Sequence, residues 1–155
     1  MRVPMTGACQ CGAVRYEIAA PPVTLYACHC TDCQRQTGSA FALSMVVPRT
    51  ALRVTQGEPK VWRRPGEHAA SGTPTDCVFC GDCGARLYHL PSRNAAIAVL
   101  KPGTLDDTSW LRPIGHIWTK SAQPWVEIDG SLVTYAGQAP DFIALAAAWE
   151  AQSQG

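Results

Sequence analysis

The chain has 155 residues, of which 16% are charged, and its formal net charge is +1 at neutral pH. This length suits a single domain, residues 1–155, built around one hydrophobic core. The balanced charge gives no basic surplus of the kind that binds nucleic acid, and no stretch approaches the roughly 18 apolar residues that span a membrane. The first residues, MRVPMTGACQCG, lack the apolar run of a signal peptide, so we expect a cytoplasmic protein.

Short β-strands dominate the predicted elements. Residues 13–19 and 39–47 alternate apolar and polar side chains, as half-buried strands do. Further short strands are predicted, in chain order, at 52–55, 61–62, 78–79, 86–88 and 96–99. Twelve prolines and thirteen glycines separate these runs, which is typical of a mainly β protein with many turns. Residues 67–75, EHAASGTPT, are predicted to form a mobile loop.

One short helix is predicted, at the C-terminal end of the chain. Pro140 suits the first turn of a helix, and Asp141 places negative charge near its N-terminus. The residues that follow, FIALAAAWEA, are mostly strong helix formers.

Eight cysteines are the strongest functional signal. In a reducing cytosol they favour metal binding over disulfides. Cys80-Gly-Asp-Cys83-Gly has the form of a zinc knuckle, and Cys9-Gln-Cys11-Gly resembles a second half-site. Together the two pairs supply the four sulfurs that a tetrahedral structural zinc site requires.

A further group of three cysteines lies in CHCTDCQRQTGSAF, residues 28–41. Cys28, Cys30 and Cys33 are too few for a closed four-sulfur site, so a zinc ion held by them would keep an open coordination position. Spacing alone does not decide how the half-sites pair, because Cys28 and Cys30 could also complete a four-sulfur set. A thiolate-rich site suits another soft ligand, such as an incoming thiol.

The sequence resembles the glutathione-dependent formaldehyde-activating (GFA) family, also called the CENP-V/GFA domain family. Five blocks carry the resemblance and run in order over most of the chain: GACQCGAVRYEI (7–18), CHCTDCQRQTGSAF (28–41), FCGDCGARLY (79–88), GTLDD (103–107) and HIWTKSAQPW (116–125). The three cysteine motifs make the resemblance specific.

The resemblance implies a mainly β fold of the β-tent type, in which zinc ties short antiparallel strands together. It implies two zinc ions per chain, a structural one held by Cys9, Cys11, Cys80 and Cys83 and a catalytic one held by Cys28, Cys30 and Cys33. It further implies a carbon–sulfur lyase or synthase whose partners are glutathione, or a similar small thiol, and formaldehyde, or a similar small aldehyde.

Other interpretations of the same residues remain. Both zinc ions could be structural, with Cys77 as the spare ligand, and the domain would then be a non-catalytic binding module. Alternation turns Cys77 away from Cys80, however, which favours a buried, inert thiol. Alternation likewise places His29 opposite its cysteine neighbours, which favours a hydrogen-bonded structural role over acid–base catalysis.

Two other features have competing interpretations. The pairs Cys30–Cys33 and Cys80–Cys83 could be redox dithiols, but such pairs need a strand-to-helix context, and the sequence around them predicts strands. Arg35 or Lys120 could receive a carboxylate of glutathione, although a solvated surface charge is the commoner role.

Overall fold

The computed structural model describes residues 2–154 and contains eleven strands and two α-helices within that range. The strands are β1 (Met5–Ala8), β2 (Arg15–Ile18), β3 (Thr24–Cys28), β4 (Ala42–Pro48), β5 (Leu52–Gln56), β6 (Lys60–Arg64), β7 (Thr75–Phe79), β8 (Arg86–Pro91), β9 (Ile97–Leu100), β10 (Gly115–Ile117) and β11 (Val133–Tyr135). The helices are α1 (Thr31–Thr37) and α2 (Ile143–Gln154). Neither helix has the length and apolar character needed to cross a membrane.

The mainly β architecture predicted from the sequence is confirmed. Each of the seven predicted strands has a counterpart, in β2 and in β4 to β9. The sequence did not predict β1, β3, β10, β11 or helix α1. Most strand pairings are antiparallel, but β10 runs parallel to both of its neighbours, β3 and β11.

The strands form two sheets. The small sheet has the order β1-β2-β5, and the large sheet has the order β11-β10-β3-β4-β9-β8-β7-β6. The turn after β9 joins them: the Tyr16 hydroxyl lies 2.8 Å from Thr104 Oγ1, and the Asp106 carboxylate accepts hydrogen bonds from Thr6 and Arg15. The predicted block GTLDD therefore fastens one sheet to the other.

The central strands of the large sheet are covered by protein on both faces, whereas the edge strand β6 is mostly exposed. Leu25, Met45, Leu100 and Tyr88 are register partners across four strands, and all are buried. The opposite face carries the row Cys77, His89, Val99 and Val46, and we call it the cavity face. All five residues of β3 are buried, which is why this strand shows no alternation of apolar and polar residues.

The C-terminal helix is confirmed, but its predicted start at Pro140 is wrong. Helix α2 begins at Ile143, whose N–H donates to Asp141 Oδ1 at 2.9 Å. Asp141 thus satisfies one free backbone donor of the first turn, and Pro140 lies before the helix. Leu145 is fully buried, and its carbonyl accepts a hydrogen bond from the Thr24 hydroxyl, so α2 packs against β3.

The segment predicted as a mobile loop is a loop only in part. Gly66–His68 forms a 3-10 turn, and Thr75 already belongs to β7. The segment is attached to α1 through Asp32, whose carboxylate accepts the Ala70 N–H at 2.7 Å and pairs with Arg64 at 3.0 Å. Its mobility stays a prediction.

Candidate functional site

Four cysteines from distant parts of the chain meet at one point. Cys9 and Cys11 follow β1, Cys80 and Cys83 follow β7, and their four sulfur atoms all lie within 4.8 Å of one another. The Sγ atoms of Cys9 and Cys11 are 3.5 Å apart, and those of Cys11 and Cys80 are 3.8 Å apart. The two half-sites recognised in the sequence are therefore brought together.

The two half-sites share one local design. In the first, Gly12 N–H donates to the Cys9 carbonyl at 3.0 Å, and in the second Gly84 N–H donates to the Cys80 carbonyl at the same distance. Gly12 has φ +77° and Gly84 has φ +73°, a left-handed conformation that favours glycine. Each glycine thus closes a tight turn that presents two sulfurs on one side.

This donor set fits a zinc ion. A Zn–S bond of about 2.3 Å in a tetrahedron requires sulfur atoms roughly 3.8 Å apart, close to the separations given above. They are far longer than the roughly 2.05 Å of a disulfide. The Val14 N–H donates to Cys9 Sγ at 3.3 Å, and the backbone N–H of Ala85 is the main group that lowers the pKa of Cys83, to about 6. Both donors favour the thiolates that bind metal.

The second cluster lies where β3 gives way to α1. Cys28 is the last residue of β3, Cys30 is the N-cap of α1, and Cys33 is the one buried residue of that helix. All three residues are buried, and their sulfur atoms lie within 4.8 Å of one another. In the described part of the chain, no fourth Cys, His, Asp or Glu joins this group, which we call the cysteine triad.

Local structure explains why these three sulfurs converge. The N–H of Cys33 donates to Cys30 Sγ at 3.4 Å, the bond of an N-cap to the first turn of its helix. The Gln36 side-chain amide, one helical turn further on, donates to Cys33 Sγ at 3.4 Å. The expectation of strand-like surroundings for Cys30 and Cys33 is wrong, because Cys30 stands between a strand and a helix. The third sulfur, from Cys28, distinguishes this cluster from a two-thiol redox site.

The triad is electrostatically poised to hold negative charge. Hydrogen bonds from the Cys28 and Cys30 thiols lower the pKa of Cys33 to about 3, whereas the same contacts raise the pKa of Cys28. The triad thus loses its first proton easily and the three sulfurs share those that remain, which is the behaviour of coupled thiols. Metal binding requires full deprotonation, which a further positive charge near the sulfurs would favour.

Lys101 supplies a positive charge close to the triad. The residue is buried at the end of β9; burial lowers the pKa of its amino group, while the Cys33, Cys28 and Cys30 thiolates act in the opposite direction. A zinc ion with three thiolates carries a net single negative charge, which one ammonium group balances. The sequence offered no signal for this lysine, because only the pairing of β9 with β4 brings it to the cavity face.

A cavity of about 90 Å³ opens on the cavity face beside the triad. Its walls include the triad, Lys101, Tyr26, Trp118 and His89. The Nε2 atom of His89 is buried without a hydrogen-bond partner. Burial, followed by the charges of Lys101, Arg86 and Arg64, holds the pKa of His89 well below 6.5, so its ring is neutral at pH 7.

Two residues raised as alternatives in the sequence occupy structural positions. Cys77 is buried, and its thiol donates a weak hydrogen bond to the Thr75 carbonyl at 3.7 Å, outside both cysteine clusters. His29 is fully buried, and its Nε2 lies 2.9 Å from His116 Nδ1. Burial lowers the pKa of both histidines, which favours a neutral, hydrogen-bonded pair.

The two predicted carboxylate receptors differ in position. Lys120 is exposed, and its Nζ lies 5.0 Å from the centre of the Trp118 ring. Arg35 is also exposed, on α1, and it lines a hollow that adjoins the triad cavity through Asp32, Gln36 and Arg64.

The sequence of this chain matches the model of the glutathione-dependent formaldehyde-activating enzyme family over residues 4–121. The chain belongs to the GFA family. The match spans both cysteine clusters and the turn at Thr104, and it ends before the C-terminal helix. The resemblance drawn from the five sequence blocks is therefore confirmed.

Individual relatives of this GFA chain are distant. A Halomonas elongata protein is 24% identical over 128 residues, which cover 81% of each chain. An Emericella nidulans protein is 32% identical over 82 residues, which cover 52% of this chain and 39% of that protein. Both are provisionally named glutathione-dependent formaldehyde-activating enzymes. The crystal structure of a Rhodobacter sphaeroides protein has the same fold, with a TM-score of 0.54 and 23% identity over 70% of this chain and 92% of that one.

Proposed function

We propose that this chain is a zinc-dependent carbon–sulfur lyase or synthase that joins glutathione, or a similar small thiol, to formaldehyde or another small aldehyde. In the direction of synthesis the C–S bond forms, the carbonyl π bond breaks, and the thiol proton ends on the new hydroxyl. The single observation that carries the proposal is the cysteine triad itself, a buried three-sulfur cluster beside a cavity, with no fourth ligand in the described residues.

The two clusters have different roles in this proposal. Cys9, Cys11, Cys80 and Cys83 hold a structural zinc ion, because four thiolates complete its coordination. Cys28, Cys30 and Cys33 hold the catalytic ion. When bound there, zinc supplies one open, soft coordination position that accepts a thiol as thiolate.

The residues of the cavity would do the rest. The Lys101 ammonium balances the charge of the thiolates and faces the negative charge that develops on the aldehyde oxygen. The Gln36 amide keeps Cys33 in place by donating to its sulfur. A cavity of about 90 Å³ admits a sulfhydryl group and a one-carbon aldehyde, while the body of a tripeptide stays outside.

Metal content and cobalt spectroscopy test the proposal. We expect two zinc ions per chain, and we expect the cobalt–thiolate bands of cobalt-substituted protein to shift when glutathione is added. Cys28→Ser should lose one metal ion, the spectral response and the turnover of S-(hydroxymethyl)glutathione, followed as formaldehyde release. Cys77→Ser is the matched control for metal content, because that thiol lies outside both clusters, and it should retain both metal ions.

Two results would contradict the proposal. Cys28→Ser protein that keeps two zinc ions and full turnover would remove the triad from the chemistry. If the cobalt–thiolate bands did not shift with any thiol tested, the alternative interpretation would stand, a zinc-stabilised binding module in which both ions are structural.

A further inference from the structure

Arg86 is a half-buried cation without an anion in contact with it. It is the first residue of β8, and its guanidinium carbon lies 5.9 Å from the centre of the Trp62 ring and 5.8 Å from that of Phe79. One of its terminal nitrogens, Nη1, is buried and has no hydrogen-bond partner. No carboxylate lies within 4.0 Å of the guanidinium in residues 2–154. Burial of an unpaired charge is costly, so the site favours an incoming anion.

Arg86 lines a hollow that is much larger than the triad cavity. The hollow measures about 500 Å³, against about 90 Å³ beside the triad. Its lining residues include Asp32, Arg35, Gln36, Trp62, Arg64 and Arg86. Asp32, Gln36 and Arg64 line both spaces, so the hollow and the cavity adjoin.

The charge of the hollow is strongly positive. Three arginines line it, and in the described part of the chain only Asp32 contributes a carboxylate to its wall. That carboxylate is already paired with Arg64 at 3.0 Å. Arg35 and Arg86 are therefore left to attract negative groups on a bound molecule.

Gln36 connects the hollow to the chemistry. Its amide donates to Cys33 Sγ at 3.4 Å, and the residue lines both the triad cavity and the hollow of Arg86. A small molecule whose sulfur enters the cavity can therefore extend its remaining atoms past Gln36 toward Arg86.

We infer that Arg86 binds a carboxylate of the thiol substrate, so that the substrate class is an anionic thiol with its carboxylate on the side of the molecule remote from the aldehyde. This inference rests on the proposed function. The guanidinium can donate two parallel hydrogen bonds to a carboxylate, and the Trp62 and Phe79 rings hold the guanidinium in one orientation. Arg35, at the exposed side of the same hollow, adds long-range attraction.

A pair of probes that differ in whether their carboxylates are free or esterified tests the inference. Glutathione and its diethyl ester are titrated into the cobalt-substituted protein, and the ratio of their dissociation constants is measured in each variant. Wild-type protein should prefer the free acid by about tenfold or more, as one hydrogen-bonded charge pair supplies. Arg86→Gln should remove most of this preference without weakening the ester, and Arg86→Lys should keep part of it.

Arg63→Gln is the matched control. Arg63 lies on the same strand as Arg64, is 61% exposed and pairs with Asp76 at 2.8 Å, so its loss removes one positive charge from the protein but none from the hollow. This variant should keep the wild-type ratio. Because the ratio is measured within each protein, a general loss of stability in Arg86→Gln does not imitate the effect.

The outcomes separate the two proposals. A wild-type protein that binds acid and ester equally, or an Arg86→Gln protein that keeps the preference, overturns the role of Arg86 and leaves the proposed function intact. Cobalt bands that respond to neither probe overturn the proposed function, and the inference falls with it.

Discussion

Loss of the four-cysteine cluster should destabilise the protein more than loss of the triad. Cys11 and Cys80 are 69 positions apart, and a metal that joins them closes a loop of about that length. In the chain-entropy treatment used for disulfides, closing about 70 residues contributes about 4.4 kcal/mol to the free energy of unfolding. Closing the six or so residues from Cys28 to Cys33 contributes only about 2.2 kcal/mol by the same formula.

Thermal unfolding of zinc-loaded protein measures this difference. Cys80→Ala should lower the melting temperature by about 13 °C and Cys33→Ala by about 7 °C, at about 3 °C per kcal/mol for a chain of this size. Each variant should retain one metal ion, measured by atomic emission. Cys77→Ala is the matched control, because it deletes a buried sulfur that holds no metal, and it should cost about 1 kcal/mol, or about 3 °C. Equal losses in Cys80→Ala and Cys33→Ala would refute the reasoning from loop length.

Three further predictions concern the surroundings of the site. Tyr16→Phe should lower the free energy of unfolding in urea by about 1 kcal/mol, because the hydrogen bond between the Tyr16 hydroxyl and Thr104 Oγ1 is lost, and an unchanged midpoint would show that this contact does not hold the sheets together. Asp32→Ala should speed amide hydrogen exchange at Ala70 and its neighbours in residues 66–74, because the Ala70 N–H loses its acceptor, and unchanged exchange would contradict the attachment of that segment to α1. The pKa of His89 is lowered in the native protein, so below pH 6.5 the unfolded chain binds a proton at this residue and the native protein does not. The free energy of unfolding therefore decreases as the pH is lowered. Between pH 7.5 and 5.5 this group should cost wild-type protein about 1.4 kcal/mol, and His89→Gln, measured at saturating zinc, should lack that part of the slope; parallel slopes would contradict it.

The cysteine clusters could be predicted from the sequence because their signal is local. The cysteines of each half-site are two or three positions apart and a glycine follows them, and this pattern fixes the turn that presents the sulfurs. The pairing of Cys9 and Cys11 with Cys80 and Cys83 was not fixed by spacing. It came from the family resemblance, and the structure brings those four sulfurs together.

Two of the elements that the sequence missed, β3 and α1, lack a periodic pattern. Strand β3 is buried on both faces, so its residues do not alternate, and helix α1 is a single short helix with one buried residue, Cys33. Lys101, His89 and Arg86 were missed as site residues for a different reason. Arg86 and His89 both belong to β8, and Lys101 follows β9. Only the register shift between β7 and β8, which pairs Arg86 with Phe79, and the pairing of β8 with β9 place them on one face.

The parallel pairing of β3 with β10 has a consequence for how the protein is made. Strand β3, which ends in Cys28, pairs on one side with β4, which follows it closely in the chain. On its other side it pairs with β10, where Ala27 lies opposite His116, almost ninety positions downstream. Contacts between such distant positions raise the relative contact order and slow folding. On the ribosome, the strand that leads into the reactive thiols therefore keeps one edge unpaired until most of the nascent chain has emerged.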